Sequence, residues 1–244
     1  MILDYLKYKK SSFASGDLFD EIIPRGGVAL MKVPEQFISP YRIDSRDMCL
    51  SSSNQLQTPN CAGYSMAGYI EYHNWKTIHY PAQVDGDAIY AEAKKIDGNN
   101  SPGTYLSSAI QGAINLKLIN GTAKYVDYPS INQSGMDIGL KRMISIKFAL
   151  HQYGVVLAGF RITDEWDWVD KKTGLIRDLG SKAKDKGGHA VLLCGYDMDG
   201  VYIQNSWGTE YGHYGFAVLS WKQYVKQIMQ AMVVDSLIFQ LIKV

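Results

Sequence analysis

Asn54-Gln55-Leu56-Gln57-Thr58-Pro59-Asn60-Cys61-Ala62-Gly63-Tyr64-Ser65-Met66-Ala67 is a turn that opens into a helix. Thr58-Pro59 makes the turn, Asn60 is a good N-cap residue, and the small, periodic residues from Ala62 onward continue as a helix. Cys61 then falls in the first helical turn. The unsatisfied N–H groups there and the positive end of the helix dipole stabilise a thiolate and depress its pKa. A neighbouring imidazolium would depress it further. Taken alone, Cys61 also fits an ordinary alternative, a small apolar residue packed at a helix start.

Outward from Cys61, a helix is expected to about Trp75 with Met66, Tyr69, Ile70 and His73 on closely spaced turns. A second is expected from Asp87 to Ile96, with Ile89, Ala93 and Ile96 facing inward. A third runs from Thr104 as N-cap to about Leu118, with Leu106, Ile110, Ala113 and Ile114 toward the core and Asn120-Gly121 as its stop. The turn-rich strip Asp97 to Gly103 between them either lines a cleft or merely connects. Tyr128-Pro129-Ser130 and Asn132 to Gly135 mark a break. One more helix follows, with Leu140, Met143, Ile144 and Phe148 on one face. Strands come after it at Gly154–Ile162, Ala190–Tyr196, Val201–Asn205 and Gly215–Leu219. Helices first and strands later predict an α+β protein with a helical lobe and a sheet lobe, and a ligand cleft between them.

The second half supplies what a nucleophilic cysteine needs. His189 follows Gly187-Gly188 at the entrance to a strand, placed to take the thiol proton. Asn205 ends the next strand, and its amide oxygen can orient an imidazole without competing for the proton. Gln55 can reach forward so that its NH₂ group and the Cys61 N–H form an oxyanion hole. Each has a bland alternative: a core histidine, a turn former, a loop amide. His73, His79, His151 and His213 are weaker partners because none stands in such a setting. Asp164-Glu165-Trp166-Asp167-Trp168 is either a substrate contact or a solvated loop anchored by two indoles.

Asn54-Gln55 and Cys61, Gly188-His189-Ala190-Val191, Gly195-Tyr196, Asn205-Ser206-Trp207-Gly208-Thr209 and Tyr214-Gly215-Phe216 together resemble the papain-like cysteine peptidases. His189 and Asn205 lie 128 and 144 residues after Cys61 (189 − 61 and 205 − 61), close to the roughly 130–150 of that family. Asp44-Ser45-Arg46 stands where the family usually has Asp-Trp-Arg, so the likeness spans most of residues 40 to 220. It implies a two-lobe α+β fold, with a helical lobe and an antiparallel β-sheet or barrel lobe flanking the site. It implies Cys61 as nucleophile, His189 as base and acid, Asn205 as orienter and Gln55 as oxyanion donor. Trp207 would shield the histidine–asparagine bond, and Gly187, Gly188, Gly103 and Trp207 would line the substrate site. The reaction implied is peptide hydrolysis through a thioester, on a peptide or protein substrate and without metal or organic cofactor. A thiol acyltransferase or amidase would use the same groups, and a silent binding protein would need none of them. Thr58-Pro59-Asn60 replaces the Cys-Gly-Ser of many members, which removes their usual partner cysteine. The arm is short for a long inhibitory propeptide, so a divergent microbial or viral type is expected.

Composition agrees with these expectations and narrows the rest. The chain has 244 residues, 46% hydrophobic and 20% charged, with a net charge of +1. That balance favours neither nucleic acid nor an acidic-substrate trap. Lys7-Tyr8-Lys9-Lys10 reads as a solvated face. Cys49, Cys61 and Cys194 have no CxxC spacing, against a disulfide scaffold and for a reducing compartment. The amino terminus lacks the apolar run of a signal peptide and no stretch spans a membrane, so a cytoplasmic protein is expected. The expected division is an N-terminal arm (1–40), a helical lobe with the nucleophile (41–127) and a β-rich lobe with His189 and Asn205 (128–244).

Overall fold

Small residues let one helix occupy the middle of the molecule. In the computed structural model, which describes residues 8–10, 17–18, 29–127 and 136–239, helix α1 (Cys61–Ile78) starts at the expected cysteine. Its expected inner face, Met66, Tyr69, Ile70 and His73, is buried. A Cβ on Gly63 would stand 2.2 Å from the Gly86 carbonyl oxygen, so only glycine lets α1 approach α2 (Gly86–Asp97) this closely. Asp85 caps α2 by accepting from the N–H groups of Asp87 and Ala88. Ile89 and Ala93 point inward as expected, whereas Ile96 is 38% exposed. The break expected at 128–135 and most of the arm's turn signals lie outside the described residues.

The third helix is shorter than its periodicity implies. Helix α3 is Leu106–Asn115, and Thr104 is not its cap. Thr104 lies in strand β5 (Thr104–Tyr105), and its hydroxyl donates to Asp97 Oδ2 at 2.6 Å. The helix is closed by Lys117 in the left-handed region (φ 60°), and Asn120-Gly121 falls inside strand β6 (Ile119–Asp127). Residues 119–127 therefore join the sheet. Helix α4 (Met136–Tyr153) also turns a different face inward: Ile146, Ala149 and Leu150 are buried, while Leu140 is 55% exposed. Phe148 of the expected face meets Phe37 edge-on at 5.0 Å.

The sheet collects strands from the whole chain. β7 (Val156–Thr163), β9 (Asp185–Tyr196), β10 (Gly200–Gln204) and β11 (Phe216–Ser220) confirm the four expected strands, with β9 starting earlier. β12 (Ile228–Phe239), preceded by helix α5 (Trp221–Gln227), was not expected. The order is β11-β10-β9-β7-β12-β6-β3, where β3 is Ala29–Leu30, and β4 (Ile43–Asp44) also pairs with β9. Neighbours are antiparallel except β3 and β6. From the N-terminal segment, β1 (Tyr8–Lys10) pairs with β8 (Trp168–Asp170), and β2 (Asp17–Leu18) pairs in parallel with β5 while also packing on β9. One apolar cluster surrounds α1, α2 and α3 and includes Cys61; the other lies in the sheet and includes Trp166 and Trp207. This is the α+β, two-lobe arrangement expected. No helix among the described residues is long and apolar enough to cross a membrane.

Candidate active site

His189 is held on three sides. β9 pairs it with Phe160 of β7, and its imidazole is fully buried. Its Nε2–H donates to Asn205 Oδ1 at 2.8 Å, because the amide oxygen can only accept. Trp207 stacks on the ring at 4.6 Å and 26°, and Trp166 stands edge-on at 5.9 Å and 88°. Nδ1 is buried and has no hydrogen-bond partner among the described residues. That nitrogen is left with a lone pair and no donor. Burial pulls the imidazole pKa down to about 4, the Asn205 hydrogen bond opposes the shift, and the Lys186 ammonium adds to it.

Cys61 begins α1, and its Sγ accepts the Ala190 N–H at 3.4 Å, one residue along the strand from His189. Asn60 does not cap the helix with its side chain, contrary to expectation. Its Nδ2 donates instead to Asp87 Oδ1 at 2.7 Å. The first-turn N–H groups are thereby left to the site and not to a side-chain oxygen.

Gln55 stitches the two halves together. Its backbone N–H donates to Ser206 O at 2.8 Å, its Oε1 accepts from Ser206 Oγ at 2.5 Å, and its Nε2 donates to Thr58 O at 2.7 Å. The amide is thus oriented with one N–H used and a second remaining. The bonds of Gln55 to Ser206 and Thr58 are not legible in the sequence, since neither a hydroxyl nor a backbone carbonyl carries a signal of its partner. Asn54 bridges to Trp207, and Gly208 N–H donates to Ser53 O at 2.9 Å. The residues expected to act together are therefore brought together from loop, helix and strand.

The expected substrate-lining residues divide. Gly187 (φ 96°) and Gly188 are half-buried on β9 just ahead of His189. Gly103 is buried, with its N–H donated to Tyr90 Oη at 3.2 Å and its carbonyl accepting from Lys94 Nζ at 3.0 Å. Trp207 is 1% exposed and meets His189, not solvent. The acidic, aromatic stretch is not a solvated loop. Trp166 is buried and donates to Gln227 Oε1 at 2.7 Å, Glu165 accepts from Gln227 Nε2 at 2.8 Å and from Leu179 N–H at 2.7 Å, and Asp167 pairs with Lys186 at 2.7 Å. Among the described residues no cluster of side chains could hold a metal ion.

The profile of the papain family of cysteine proteases matches residues 49–235. No curated protein matches the sequence. Among solved structures the fold is similar to that of xylellain, a cysteine protease from Xylella fastidiosa (18% identity, TM-score 0.66, 93% of this chain and 97% of that one). It is also similar to procathepsin B S9 from Trypanosoma congolense (14% identity, TM-score 0.64, 91% and 86%). A third is digestive procathepsin L 3 of the Tenebrio molitor larval midgut (16% identity, TM-score 0.63, 96% and 77%).

Proposed function

This chain belongs to the papain family of cysteine proteases, and we propose that it cleaves peptide bonds with Cys61, His189 and Asn205 as its catalytic triad. The observation that carries this reading is the imidazole itself: one nitrogen tied to Asn205 Oδ1, the other buried without a partner, and the Cys61 sulfur against the next residue of the strand. Beside a neutral thiol the buried ring stays neutral. When His189 Nδ1 takes the Cys61 proton, the thiolate formed next to it stabilises the imidazolium, and the helix start stabilises the thiolate.

The thiolate then attacks the peptide carbonyl carbon, and the carbonyl electron pair moves to oxygen. The Cys61 N–H and the second N–H of Gln55 Nε2 are the donors aimed at that oxyanion. Its collapse expels the amine, which takes the proton from His189 Nδ1 and leaves a thioester. Water, deprotonated by the same nitrogen, releases the acid. Trp207 and Trp166 keep solvent from the His189–Asn205 bond. Gly187 and Gly188 offer strand edge for the substrate backbone, whereas Gly103 must first give up its contacts to Tyr90 and Lys94. Cys61 and His189 are both 0% exposed, and β2 pairs with β5 and packs on β9, the strand that carries His189, so we expect substrate entry to displace β2.

The test is the pH dependence of Cys61 alkylation by iodoacetamide, followed by peptide mapping, in three chains: wild type, His189→Ala and one lacking residues 1–28. Fast labelling is expected to persist below about pH 7 in the wild type, to vanish there in His189→Ala, and to speed up in the shortened chain. Labelling that rises only near about pH 8.5, where an ordinary thiol ionises, would remove the triad.

A further inference from the structure

Two thiols that the reaction does not use lie side by side. β4 pairs with β9 at Ile43 and Tyr196 and at Asp44 and Gly195, and the next rung is the Ser45 N–H donating to Cys194 O at 2.8 Å. From Ser45 the chain makes one 3₁₀ turn, Arg46–Met48, and comes back on itself, so that the Cys49 thiol donates to Ser45 O at 3.4 Å. That places Cys49 over the rung that carries Cys194. Cys49 packs against the apolar cluster that contains Cys194, the Cys194 thiol donates to Tyr202 O at 3.6 Å, and no disulfide joins the two cysteines. Cys49 is half-buried and open to a small molecule, while Cys194 is fully buried within the α1 cluster.

We propose that Cys49 and Cys194 form a redox site that closes to a disulfide when the protein meets a small-molecule disulfide. Cys49, as thiolate, attacks one sulfur of the oxidant R–S–S–R; the new Cys49–S–S–R bond forms and R–S⁻ leaves. Cys194 then loses its proton to solvent and attacks Cys49 Sγ, expelling the second R–S⁻. The protein dithiol is oxidised and the small disulfide is reduced to two thiols. Burial pushes the Cys194 thiol up, and the nearby Arg46 guanidinium opposes this. The bond would tie the segment leading to Gln55 and Cys61 to the strand that carries His189. It stands apart from the peptidase reading and survives its failure.

The experiment uses the full chain with Cys61→Ala, so that the nucleophile cannot react, treated with oxidised glutathione. The expected product takes up no iodoacetamide after denaturation, yields a Cys49–Cys194 linked peptide, and melts about 5 °C or more higher, all reversed by dithiothreitol. Adding Cys194→Ser should trap glutathione on Cys49. Two labelled thiols per chain, or glutathione left on Cys49 with Cys194 present, would overturn the site. A linked peptide without the trapped adduct would overturn the order of attack.

Discussion

The two ends of the active site are fixed by different means. Around His189 the holding is done by side chains: Trp207 on one face, Trp166 at the edge, Asn205 on Nε2, and behind them Glu165, Gln223 and Gln227 in one buried network. Around Cys61 it is done by backbone: a helix start without a side-chain cap, the Ala190 N–H on the sulfur, and glycine at the contact between α1 and α2. An imidazole must keep its tilt and tautomer while its charge changes, which takes packing on its faces and an acceptor at one nitrogen. A thiolate needs only positive potential and room for a carbonyl, and backbone N–H groups supply both.

This contrast makes stability and rate separable, and the largest test of it is stability. Trp207→Ala should lower the free energy of unfolding by about 3–5 kcal/mol, seen as a fall in the urea midpoint. Cys61→Ala, at an equally buried position, should cost about 1 kcal/mol or less while abolishing turnover. Equal costs would mean that the two ends are built alike. Gln55 belongs to both ends through Ser206 and Thr58, and it sharpens the contrast. Gln55→Ala should lower kcat about 10²-fold, some 2.7 kcal/mol, with KM little changed, because an oxyanion donor acts in the transition state. A change confined to KM would make Gln55 a residue that positions substrate.

The side-chain end was the easier to find in the sequence and the harder to interpret. His189 and Asn205 carry flanking residues that repeat their chemistry in one dimension, Gly188-His189-Ala190 and Asn205-Ser206-Trp207-Gly208. The acids of Asp164 to Trp168 argued for solvent, yet Glu165 and Asp167 are buried. Their partners, Gln223, Gln227 and Lys186, come from α5 and β9, and no local pattern joins such distant residues. Strand β12 was legible: Ile228 to Val234 is a nearly continuous apolar run, the signature of a strand buried on both faces. Asn120-Gly121, which reads as a helix stop, conceals its partner β6, and a short apolar run without a visible partner is not distinguished from a buried helix segment. On α4, apolar residues lie on both faces, and the choice between them is made by contacts such as Phe37 on Phe148, which periodicity does not encode.

The smallest effect compares two histidines with similar burial and different company. Burial takes His73 on α1 down to about 3 and His189 down to about 4, from an ordinary value of 6.5. His73 is therefore neutral in the folded protein where the unfolded chain begins to bind protons, and the Cys61–His189 pair holds a single proton there, whichever partner carries it, one fewer than in the unfolded chain. Their contribution to stability is complete above about pH 6.5 and is lost as the pH falls toward 4 and then 3. Each histidine gives a slope of about 1.4 kcal/mol per pH unit in that window. Asp44, where the Arg46 and Arg42 hydrogen bonds overcome burial and hold the carboxyl at about 2, titrates lower, whereas burial raises the Glu71 carboxyl toward this window and offsets part of the slope, so the comparison is of each variant with the wild type. Urea unfolding between pH 6 and 4.5 should then show a slope that His73→Phe lowers by about 1.4 kcal/mol per pH unit without touching Cys61 labelling. His189→Gln should lower it by a similar amount together with the labelling below about pH 7. His73 packs against the rings of Tyr69 and Tyr72, at 4.6 Å and 5.1 Å, on its own helix. If His73→Phe also slowed labelling, the proposed role of His189 would not be separable from that of a histidine buried on the nucleophile's own helix, and its place beside Asn205 and Ala190 would lose its standing as the distinguishing feature.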